Sequence, residues 1–576
     1  MKKIFLIICL LAGMTTNAQQ WGLYTLVAPS GSNIVNLVDT NGLIYKTWTF
    51  PTTAKTCFSS YLIHGDTLIR TVKYPGNVLS DGPTSGEVQK VDWNGNVVWD
   101  FIYSDSTTIL HHDICQMPNG NILMIAFDVK NDSECLQAGS SVDSVGYVRY
   151  SDKIIEVRPT GPTTGTIVWQ WKLWDHLCQH FDPSKDNYVS SIAANPQLFN
   201  FNHSVKLDYL HMNGIDYNAA LDQITFSSRS FFEIYVIDHS TTTAEAAGHT
   251  GGNSGHGGDI LYRWGNPAAY GVAGTAIFNG VHDAHWVPAD NPYFPNYLCG
   301  FNNAGGVGGN SAIDVFLPPY NGYNYDLTPG TACAPSTYSW VYNANYSNHS
   351  DGSSQQLPNG NSLMCLSDND TIIEVDYSGH ILWSYKATNV TPKAYRYSNC
   401  YVRGPVASAN ASTTQISSGS PITLNSSATS VTETNPNYTY SWSSVPAGYT
   451  SSVQNPDLSP TSTATYIVTI TNTTLGCYDT ASVTVNVGNS GIIGQDNTKD
   501  APEIYPNPTN GKVYLSEVFK GVDDLQIMCR NADGKTILNI TNTSTIDFSG
   551  FPSGIYYLTI RYGNSKTMDY KVVKTK

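Results

Sequence analysis

KVDWNGNVVW (residues 90–99) contains a short strand pattern, an Asn-Gly turn and a second strand pattern that ends in tryptophan. Such a turn needs positive φ, which asparagine and glycine adopt at little cost, so the stretch predicts a β-hairpin. Recurrence about every 50 to 80 residues is typical of a repeat architecture. Five further segments share the pattern, three of them with longer turns: LVDTNGLIYKTW (37–48), EVRPTGPTTGTIVW (156–169), 236–264, 314–340 and EVDYSGHILW (374–383).

A second element recurs between these copies, most clearly as QMPNGNILMI (116–125) and QLPNGNSLMC (356–365). Each repeat thus supplies roughly four strands, which make one blade of a β-propeller. We predict an all-β chain in which residues 19–404 form six blades closed in a ring, because closure leaves only short protected edges. The first strand, WGLYTLVAP (21–29), is expected to pair beside NCYVRG (399–404) to close it.

The composition favours β structure and excludes some classes of function. Tyrosine is abundant, with 37 residues, charged residues make up only 13% of the chain, and long helix-forming stretches are missing. The formal net charge of −15 argues against a nucleic-acid partner, since phosphate binding needs a cationic surface. The cysteines form no CxxC pair, and an oxidising compartment would allow some of them to pair, with the connectivity left open.

The N-terminus predicts export. Lys2 and Lys3 precede an apolar run, and small residues flank a cleavage point after Ala18, so residues 1–18 are interpreted as a secretory signal peptide. No later segment offers about 18 consecutive apolar residues, and we therefore predict no transmembrane segment.

The composition changes abruptly after Gly404, where serine, threonine, asparagine and alanine dominate. Strand patterns such as YTYSWSS and ATYIVTITN alternate over residues 405–487, which resemble an immunoglobulin-like or PKD-type β-sandwich with Trp442 in its core. Residues 488–500 are rich in glycine, asparagine and aspartate and are interpreted as a linker.

Histidines recur at one position of the predicted blades. The strand that follows each blade-to-blade connection is usually the innermost, and its start faces the central channel, so equivalent positions converge. We therefore predict a ring of imidazoles on the axis. The histidines that follow the tryptophan strands are His111, His112, His203, His211, His282, His285 and His349.

Two other interpretations of these histidines remain open. A single histidine is commonly satisfied by a backbone carbonyl in a core or on a surface. Imidazole is also the commonest protein metal ligand, although the chain has no HExxH motif and the histidines lie on distant blades. We predict neither a metal nor a cofactor, and the glycine-rich insert 246–258, with His249 and His256, is predicted to be a solvated loop.

YLHMNGIDYNAALDQITFSSRS (209–230) resembles the histidine-to-arginine segment of the bacterial arylsulfate sulfotransferases, a family of six-bladed propellers. His211 and Arg229 lie 18 residues apart, as in that motif. HHDICQMPNGN (111–121) and GVHDAHWVP (280–288) are similar to the family's earlier and later histidine segments.

The resemblance implies PAPS-independent transfer of a sulfuryl group from an aryl sulfate to a phenol through a sulfohistidine. His282 matches the nucleophile, His112 and His211 match hydrogen-bonding partners, and Arg229 matches the cation on the sulfuryl oxygens. Val281 departs from the polar residue that the family commonly has before the nucleophile. His285 is an alternate to His282, and His111 to His112, which is preferred because Asp113 could orient it.

The C-terminal residues 501–576 resemble the sorting domain of the type IX secretion system. The Pro-Asn-Pro opening in IYPNPTNGKVYLS, the GIYYLTI strand and the basic tail carry the resemblance. It implies recognition by the type IX machinery and passage across the outer membrane, followed by secretion or attachment at the cell surface.

Two functions are compatible with these features. The first is an exported aryl sulfotransferase with small-molecule phenolic donor and acceptor, and the second is a non-catalytic, adhesin-like surface propeller that binds glycan or protein. The set His112, His211, Arg229 and His282 favours the enzyme, because a binding module needs no nucleophile beside a cation. With an ordinary imidazole pKa of about 6.5, activity is expected to fall on the acid side with one histidine-like titration.

Overall fold

The computed structural model describes residues 21–63, 66–79, 82–142, 148–430, 436–488, 504–505, 509–515, 525–531, 535–562 and 566–575. The predicted signal peptide (1–18) lies outside these residues, as does the predicted linker beyond Gly488. Strands predominate throughout, and the predicted all-β fold is confirmed.

Six four-stranded antiparallel sheets follow one another between residues 24 and 397. We number them 1 to 6 and give their strands from the inner to the outer edge. Sheet 1 has Ala394–Tyr397, Tyr24–Val27, Ile34–Asp39 and Ile44–Thr49; sheet 2 has Thr56–Ile63, Thr67–Lys73, Gly86–Val91 and Val97–Ile102; sheet 3 has Thr108–Gln116, Ile122–Lys130, Arg149–Gly161 and Thr164–Lys172. Sheet 4 has Met212–Asn218, Gln223–Ser228, Glu233–Asp238 and Ile260–Trp264; sheet 5 has Val281–Trp286, Leu298–Asn302, Ala312–Phe316 and Trp340–Asn343; sheet 6 has Ser353–Gln356, Ser362–Leu366, Thr371–Val375 and Ile381–Lys386.

Short elements decorate the connections between these strands. The helices are Asp132–Gln137, Thr243–Ala246 and Asn399–Arg403, with single 3-10 turns at Leu173–His176, Pro267–Tyr270, Val307–Gly309 and Ser367–Asn369. Two-residue strands pair Leu177–Cys178 with Phe199–Asn200 and Tyr320–Asn321 with Asn324–Tyr325. Within the described part of the chain, no helix is long and apolar enough to span a membrane.

The six tryptophan hairpins found in the sequence are the two outer strands of the six sheets. The indole N–H of each tryptophan donates to an oxygen in the outer hairpin of the next sheet, and Trp383 of sheet 6 returns to the Thr40 carbonyl of sheet 1 at 2.9 Å. These bonds form an unbroken cycle, so the recurring tryptophan ties each sheet to its neighbour. The pairs are Trp48 to Asp92, Trp99 to Thr164, Trp169 to Thr241, Trp264 to Pro335, Trp340 to Tyr377 and Trp383 to Thr40.

The hydrophobic core is divided among the spaces between neighbouring sheets. One apolar cluster, for example, combines Val88 and Trp99 of sheet 2 with Leu110 and Met124 of sheet 3. Another combines residues of sheet 6, such as Leu363, with residues of sheet 1 that lie near the N-terminus. Because the last sheet packs on the first, the sheets close into a ring, which is the architecture of a β-propeller.

The closing strand differs from the predicted one. Tyr24–Val27 pairs with Ala394–Tyr397, whereas residues 399–403 form a short helix. The Ser398 side chain accepts the Tyr401 N–H and caps this helix, which ends the strand before NCYVRG begins. Arg396 of the observed strand is buried, and its guanidinium lies 2.8 Å from Glu374.

The region predicted as an immunoglobulin-like sandwich contains two sheets. One has Val406–Ala411, Ile422–Thr429 and Asp457–Leu458, and the other has Gln415–Ser417, Cys477–Gly488, Ala464–Asn472, Tyr438–Val445 and Thr450–Ser451. Trp442 is buried, as predicted. A disulfide joins Cys400, just after the propeller, to Cys477, and the other cysteines that the structure describes are free.

The C-terminal region also folds as two small sheets. They comprise Ile504–Tyr505, Lys512–Leu515 and Thr545–Asp547, and Thr536–Thr541, Gln526–Asn531, Gly554–Tyr562 and Lys566–Lys574. Their buried residues, including Ile527, Phe548 and Leu558, form a separate apolar cluster. The GIYYLTI segment of the sequence begins the strand Gly554–Tyr562, which pairs with Lys566–Lys574.

Candidate active site

The inner strands of sheets 2 to 5 are bulged near their first residues. The pairing of sheet 3 slips between Leu110 and Ile114, where His112 has φ of 47°, and that of sheet 5 slips after His282, where Asp283 has φ of 57°. A bulge bends a strand and redirects the side chains beside it. Because the bulges occupy equivalent places in these four sheets, they turn several inner-strand side chains toward the axis.

The 18-residue spacing of His211 and Arg229 is the length of one β-hairpin. His211 precedes the inner strand of sheet 4, Arg229 follows the next strand, and Met212 pairs with Ser228. The Arg229 N–H donates to the His211 carbonyl at 3.1 Å, so the two residues are opposite each other at the open end of the hairpin. The two residues, although 18 positions apart in the sequence, are therefore in direct contact within one hairpin.

The structure brings together the four residues predicted as catalytic. His112 and His282 line the same small cavity, and the His112 and His211 ring centroids are 4.8 Å apart. His211 and Arg229 lie close enough for their charges to lower the pKa of His282. The free volume is about 10 Å³, room for about one water molecule. The complete lining is Phe58, His112, Asn213, His282, Asp351, Gly352, Pro392 and Lys393.

Hydrogen bonds assign a tautomer to His282. Its Nδ1 lies 2.6 Å from Oδ1 of Asn303, whose amide nitrogen donates to the Asp351 carbonyl at 2.7 Å. That second bond orients the asparagine, so Oδ1 accepts and His282 Nδ1 carries the proton. The lone pair of neutral His282 therefore belongs to Nε2, the nitrogen that is free to react.

His112 is held by its neighbour rather than by Asp113. The Nδ1 atoms of His111 and His112 are 2.8 Å apart, and His111 Nε2 lies 3.1 Å from Asp152 Oδ1. If His111 keeps its proton on the carboxylate side, its Nδ1 accepts and His112 Nδ1 donates, which leaves a lone pair on His112 Nε2. Asp113, expected to orient His112, instead contacts Lys393, Tyr61 and the backbone of sheet 4.

His211 and Arg229 form the open side of the cluster. The His211 side chain is 21% exposed, with Nδ1 at 2.5 Å from Asp208 Oδ2, whereas His112 and His282 are buried. Arg229 is half-buried and donates to the His349 carbonyl at 3.0 Å. Of the four residues predicted as catalytic, these two are therefore the more accessible to solvent.

The alternate residues occupy different positions. His111 is buried behind His112, between it and Asp152. His285 lies further along its strand, where Nδ1 faces the Asp283 carbonyl at 2.8 Å, and lines a separate cavity of about 680 Å³. Of the other predicted ring members, His203 packs on Phe231 and the His349 side chain is exposed. Of the predicted ring of imidazoles, the cluster therefore contains His112, His211 and His282, and His111 supports His112 from the buried side.

Lys393 is one residue of this site that the sequence did not predict. It precedes the inner strand of sheet 1, and its Nζ lies 2.6 Å from Asp113 Oδ2 and 2.5 Å from Asp283 Oδ1. Burial alone would lower the pKa of Lys393, but the two carboxylates raise it above its ordinary value, so the amine stays protonated. The ammonium bridges sheets 3 and 5 directly beside the cavity.

Asn213 and Asn303 were also missed. Asn213 lines the cavity, where its amide donates to the Val281 carbonyl at 2.8 Å and its oxygen accepts from Ser227. Asn303 follows the second strand of sheet 5, as Arg229 follows the second strand of sheet 4. This equivalence was the available signal, because residues after the second strand of a blade face the same end of the channel.

Burial changes the pH dependence expected from the sequence. It lowers the pKa of His282 to about 3; the Asn303 hydrogen bond opposes this, and the charges of His211, Arg229 and Lys393 reinforce it. If His282 is the nucleophile that the resemblance implies, nitrophenolate release from p-nitrophenyl sulfate should be independent of His282 protonation from about pH 8 to about pH 4, because the neutral form predominates above that pKa. The rate should fall only as pH drops toward 3.

This profile is measured as the pre-steady-state burst of nitrophenolate, since that leaving group departs without needing a proton. Circular dichroism at each pH reports whether the chain is still folded. An acid limb centred near pH 6.5 in folded protein would contradict the assignment of His282 as a buried, neutral nucleophile.

The fold and the site define a β-propeller with imidazoles and a guanidinium gathered at one end of its channel. The family model described as Arylsulfotransferase (ASST) matches residues 17–311, just over half of the chain. The chain therefore belongs to the arylsulfotransferase family, which indicates a sulfotransferase enzyme. A second model, the secretion system C-terminal sorting domain, matches residues 503–575 and indicates export to the cell surface or secretion.

Other comparisons show weaker likeness. No curated protein matches the chain. Similar solved structures include a Bacteroides caccae protein of unknown function, at 10% identity and TM-score 0.37, covering 65% of this chain and 98% of that one. The periplasmic gluconolactonase of Pseudomonas aeruginosa has 12% identity and TM-score 0.35, with 65% and 98% covered. Virginiamycin B lyase from Staphylococcus aureus has 10% identity and TM-score 0.30, with 67% and 88% covered.

Proposed function

We propose that this exported sulfotransferase moves a sulfuryl group from an aryl sulfate to a phenol without PAPS, through a sulfohistidine at His282. The observation that carries the proposal is the position of His282. Its Nδ1 is fixed on Asn303, its Nε2 is free, and its pKa is lowered so that the ring is neutral at physiological pH. A neutral imidazole beside a guanidinium is suited to attack on an anionic ester.

The first half-reaction forms a bond between His282 Nε2 and the sulfur of the donor. The bond from sulfur to the phenolic oxygen breaks, and its electron pair leaves with the phenolate. A poor leaving group would take a proton from the imidazole of His211, which lies within the cluster, whereas His112, whose pKa burial lowers and whose Nε2 carries a lone pair, could only accept one.

The second half-reaction reverses the roles. The oxygen of an acceptor phenol attacks the sulfur, its proton passes to the His211 imidazole, and the electron pair of the nitrogen–sulfur bond returns to His282. The enzyme is regenerated, and the sulfated phenol departs. No redox step and no external cofactor enter this balance.

Arg229 would stabilise the charge that develops on the sulfuryl oxygens. A preorganised donor of this type is typically worth about 3 kcal/mol of barrier. Arg229 also supplies positive charge in a chain whose formal net charge is −15, whereas the charge of Lys393 is matched by Asp113 and Asp283. The channel end would therefore attract an anionic sulfate ester against the overall sign of the protein.

Space at the site suggests how a donor binds. The buried end has room for about one water molecule, whereas His211 and Arg229 border solvent. The donor would present its sulfate group to His282 past these two residues, and its aromatic ring would remain on the open side.

The decisive experiment incubates the purified protein with p-nitrophenyl sulfate, with and without an acceptor phenol, in the absence of PAPS. We expect sustained nitrophenolate release that requires the acceptor, together with the sulfated acceptor in mass spectra. Release of sulfate to water regardless of the acceptor would indicate a sulfatase instead. If a panel of aryl sulfates gives no release, the non-catalytic surface propeller becomes the better interpretation.

A further inference from the structure

A second cluster of ligand-type side chains lies at the outer edge of the propeller, away from the axial site. The glycine-rich loop between the two outer strands of sheet 4 was predicted to be solvated and free of metal. In the structure its His249 meets Asp259, which ends the loop, and His176, which follows the outer strand of sheet 3. The side chains are thus supplied by two neighbouring sheets.

The three ligand atoms converge on one point. His176 Nδ1 is 3.0 Å and His249 Nδ1 is 2.7 Å from the same carboxylate oxygen, Oδ1 of Asp259. All three atoms lie within 4.8 Å of one another. His176 is fully buried and stacks on Trp171, whereas the His249 side chain is 61% exposed.

The tautomer of His176 leaves the Nδ1 lone pair available to bind a metal ion. Its Nε2 lies 2.9 Å from the Ala246 carbonyl, which can only accept, so Nε2 carries the proton. In the neutral ring the Nδ1 lone pair then points at a carboxylate oxygen, and two acceptors face each other at 3.0 Å. A proton on Nδ1 or a metal cation between the two atoms removes this conflict, and an imidazole N–H bonded to a backbone carbonyl is the usual support of a metal-bound histidine.

The surrounding backbone is built to hold this arrangement. Helix Thr243–Ala246 has a capping box made by Thr242 and Glu245, which fixes the Ala246 carbonyl. A Cβ at Gly258 would lie 2.0 Å from the Ala246 oxygen and 2.7 Å from His176 Nε2, so only glycine fits there. The loop is also closed by its own hydrogen bonds, including Gly258 N–H to the Gly248 carbonyl.

We propose that His176, His249 and Asp259 bind a zinc-class divalent ion through Nδ1, Nδ1 and Oδ1, with the remaining position open to solvent beside His249. Two imidazoles and one carboxylate form a ligand set that Zn²⁺ favours over Ca²⁺ or Mg²⁺, which prefer oxygen alone. The ion would tie the outer edges of sheets 3 and 4 together. Trp171, whose indole donates to the Gly258 carbonyl at 2.7 Å, already joins them there.

The test uses full-length, tag-free protein, treated with chelator, dialysed and titrated with ZnCl₂ by calorimetry. We expect one zinc ion per chain and a rise in the melting temperature on binding. His249→Ala removes an exposed ligand and should preserve the fold, yet weaken zinc affinity at least about 100-fold and abolish the shift in melting temperature. Asp259→Asn should weaken binding similarly, and CaCl₂ and MgCl₂ should not compete.

His256→Ala is the matched control, because His256 is exposed in the same loop and outside the cluster. It should bind zinc like the wild type. The proposal is overturned if the wild type binds no zinc, or if His249→Ala retains the wild-type affinity and stoichiometry, which would locate any bound zinc elsewhere, for instance at the axial histidines.

Discussion

Replacing His282 with asparagine should abolish sulfuryl transfer while leaving the propeller folded. Asparagine can still donate to Asn303 Oδ1, so the bulge keeps a hydrogen bond, but the reactive nitrogen is gone. Loss of a nucleophile that acts together with its partners typically costs at least about 10³-fold in kcat. The rate of acceptor-dependent nitrophenolate release measures this loss, and circular dichroism checks the fold.

The matched control is His285→Asn, three residues further along the same strand and facing the other cavity. It should retain most of the activity. A trapping experiment adds an independent readout: after exposure to aryl sulfate without acceptor, the wild-type peptide that contains His282 should gain the mass of one sulfuryl group, and the His282→Asn peptide should not. Loss of transfer in His285→Asn but not in His282→Asn would reverse the assignment.

Replacing Lys393 with methionine should lower the free energy of unfolding more than any other substitution described here. The ammonium is buried between Asp113 and Asp283, so its removal leaves two carboxylates without their cation in the interior. Breaking a buried ion pair in this way costs about 3–5 kcal/mol in the free energy of unfolding. Urea titration followed by tryptophan fluorescence should show a clearly lower midpoint than that of the wild type.

Lys386→Met is the appropriate comparison, because Lys386 is 67% exposed and lies 4.0 Å from Asp370 at the surface. Its effect should be within about 1 kcal/mol. The double variant Lys393→Met/Asp113→Asn removes one of the orphaned charges and should recover part of the loss. Similar midpoints for the two lysine variants would show that the axial ion bridge does not stabilise the ring.

The recurring tryptophan hairpin made the architecture predictable. Each hairpin is a local structure whose turn and strand patterns are written in consecutive residues, such as 90–99. The closing strand was misplaced, and the strand that closes the ring contains Arg396, whose partner Glu374 belongs to another sheet. Local patterns thus predicted the sheets, but not how the interior satisfies a buried charge.

The same distinction applies to the site. His211 and Arg229 were found through the resemblance of residues 209–230 to a family motif, and one hairpin fixes the spacing of that motif. Lys393 was missed because its partners Asp113 and Asp283 are 280 and 110 residues away, and only ring closure brings them together. His176 escaped notice for the same reason, since Asp259 lies 83 residues further along the chain.

Bulges explain why the sequence could not show which of two neighbouring histidines faces the cavity. Strict alternation would place His111 and His112 on opposite faces of the strand. The positive φ of His112 breaks the alternation, so both are buried and their rings touch edge to face. The cavity-facing residue is then decided by the bulge, which no sequence pattern predicted.

The first sheet takes its inner strand from the far end of the propeller, and this affects biogenesis. A nascent chain that has reached residue 311 contains all of the family-matched segment and every proposed catalytic side chain. It still lacks Lys393 and the strand Ala394–Tyr397, so the carboxylates of Asp113 and Asp283 have no counter-ion and the ring is open. Premature termination before this strand would therefore yield an inactive product. A complete active site would form only once translation has passed residue 397.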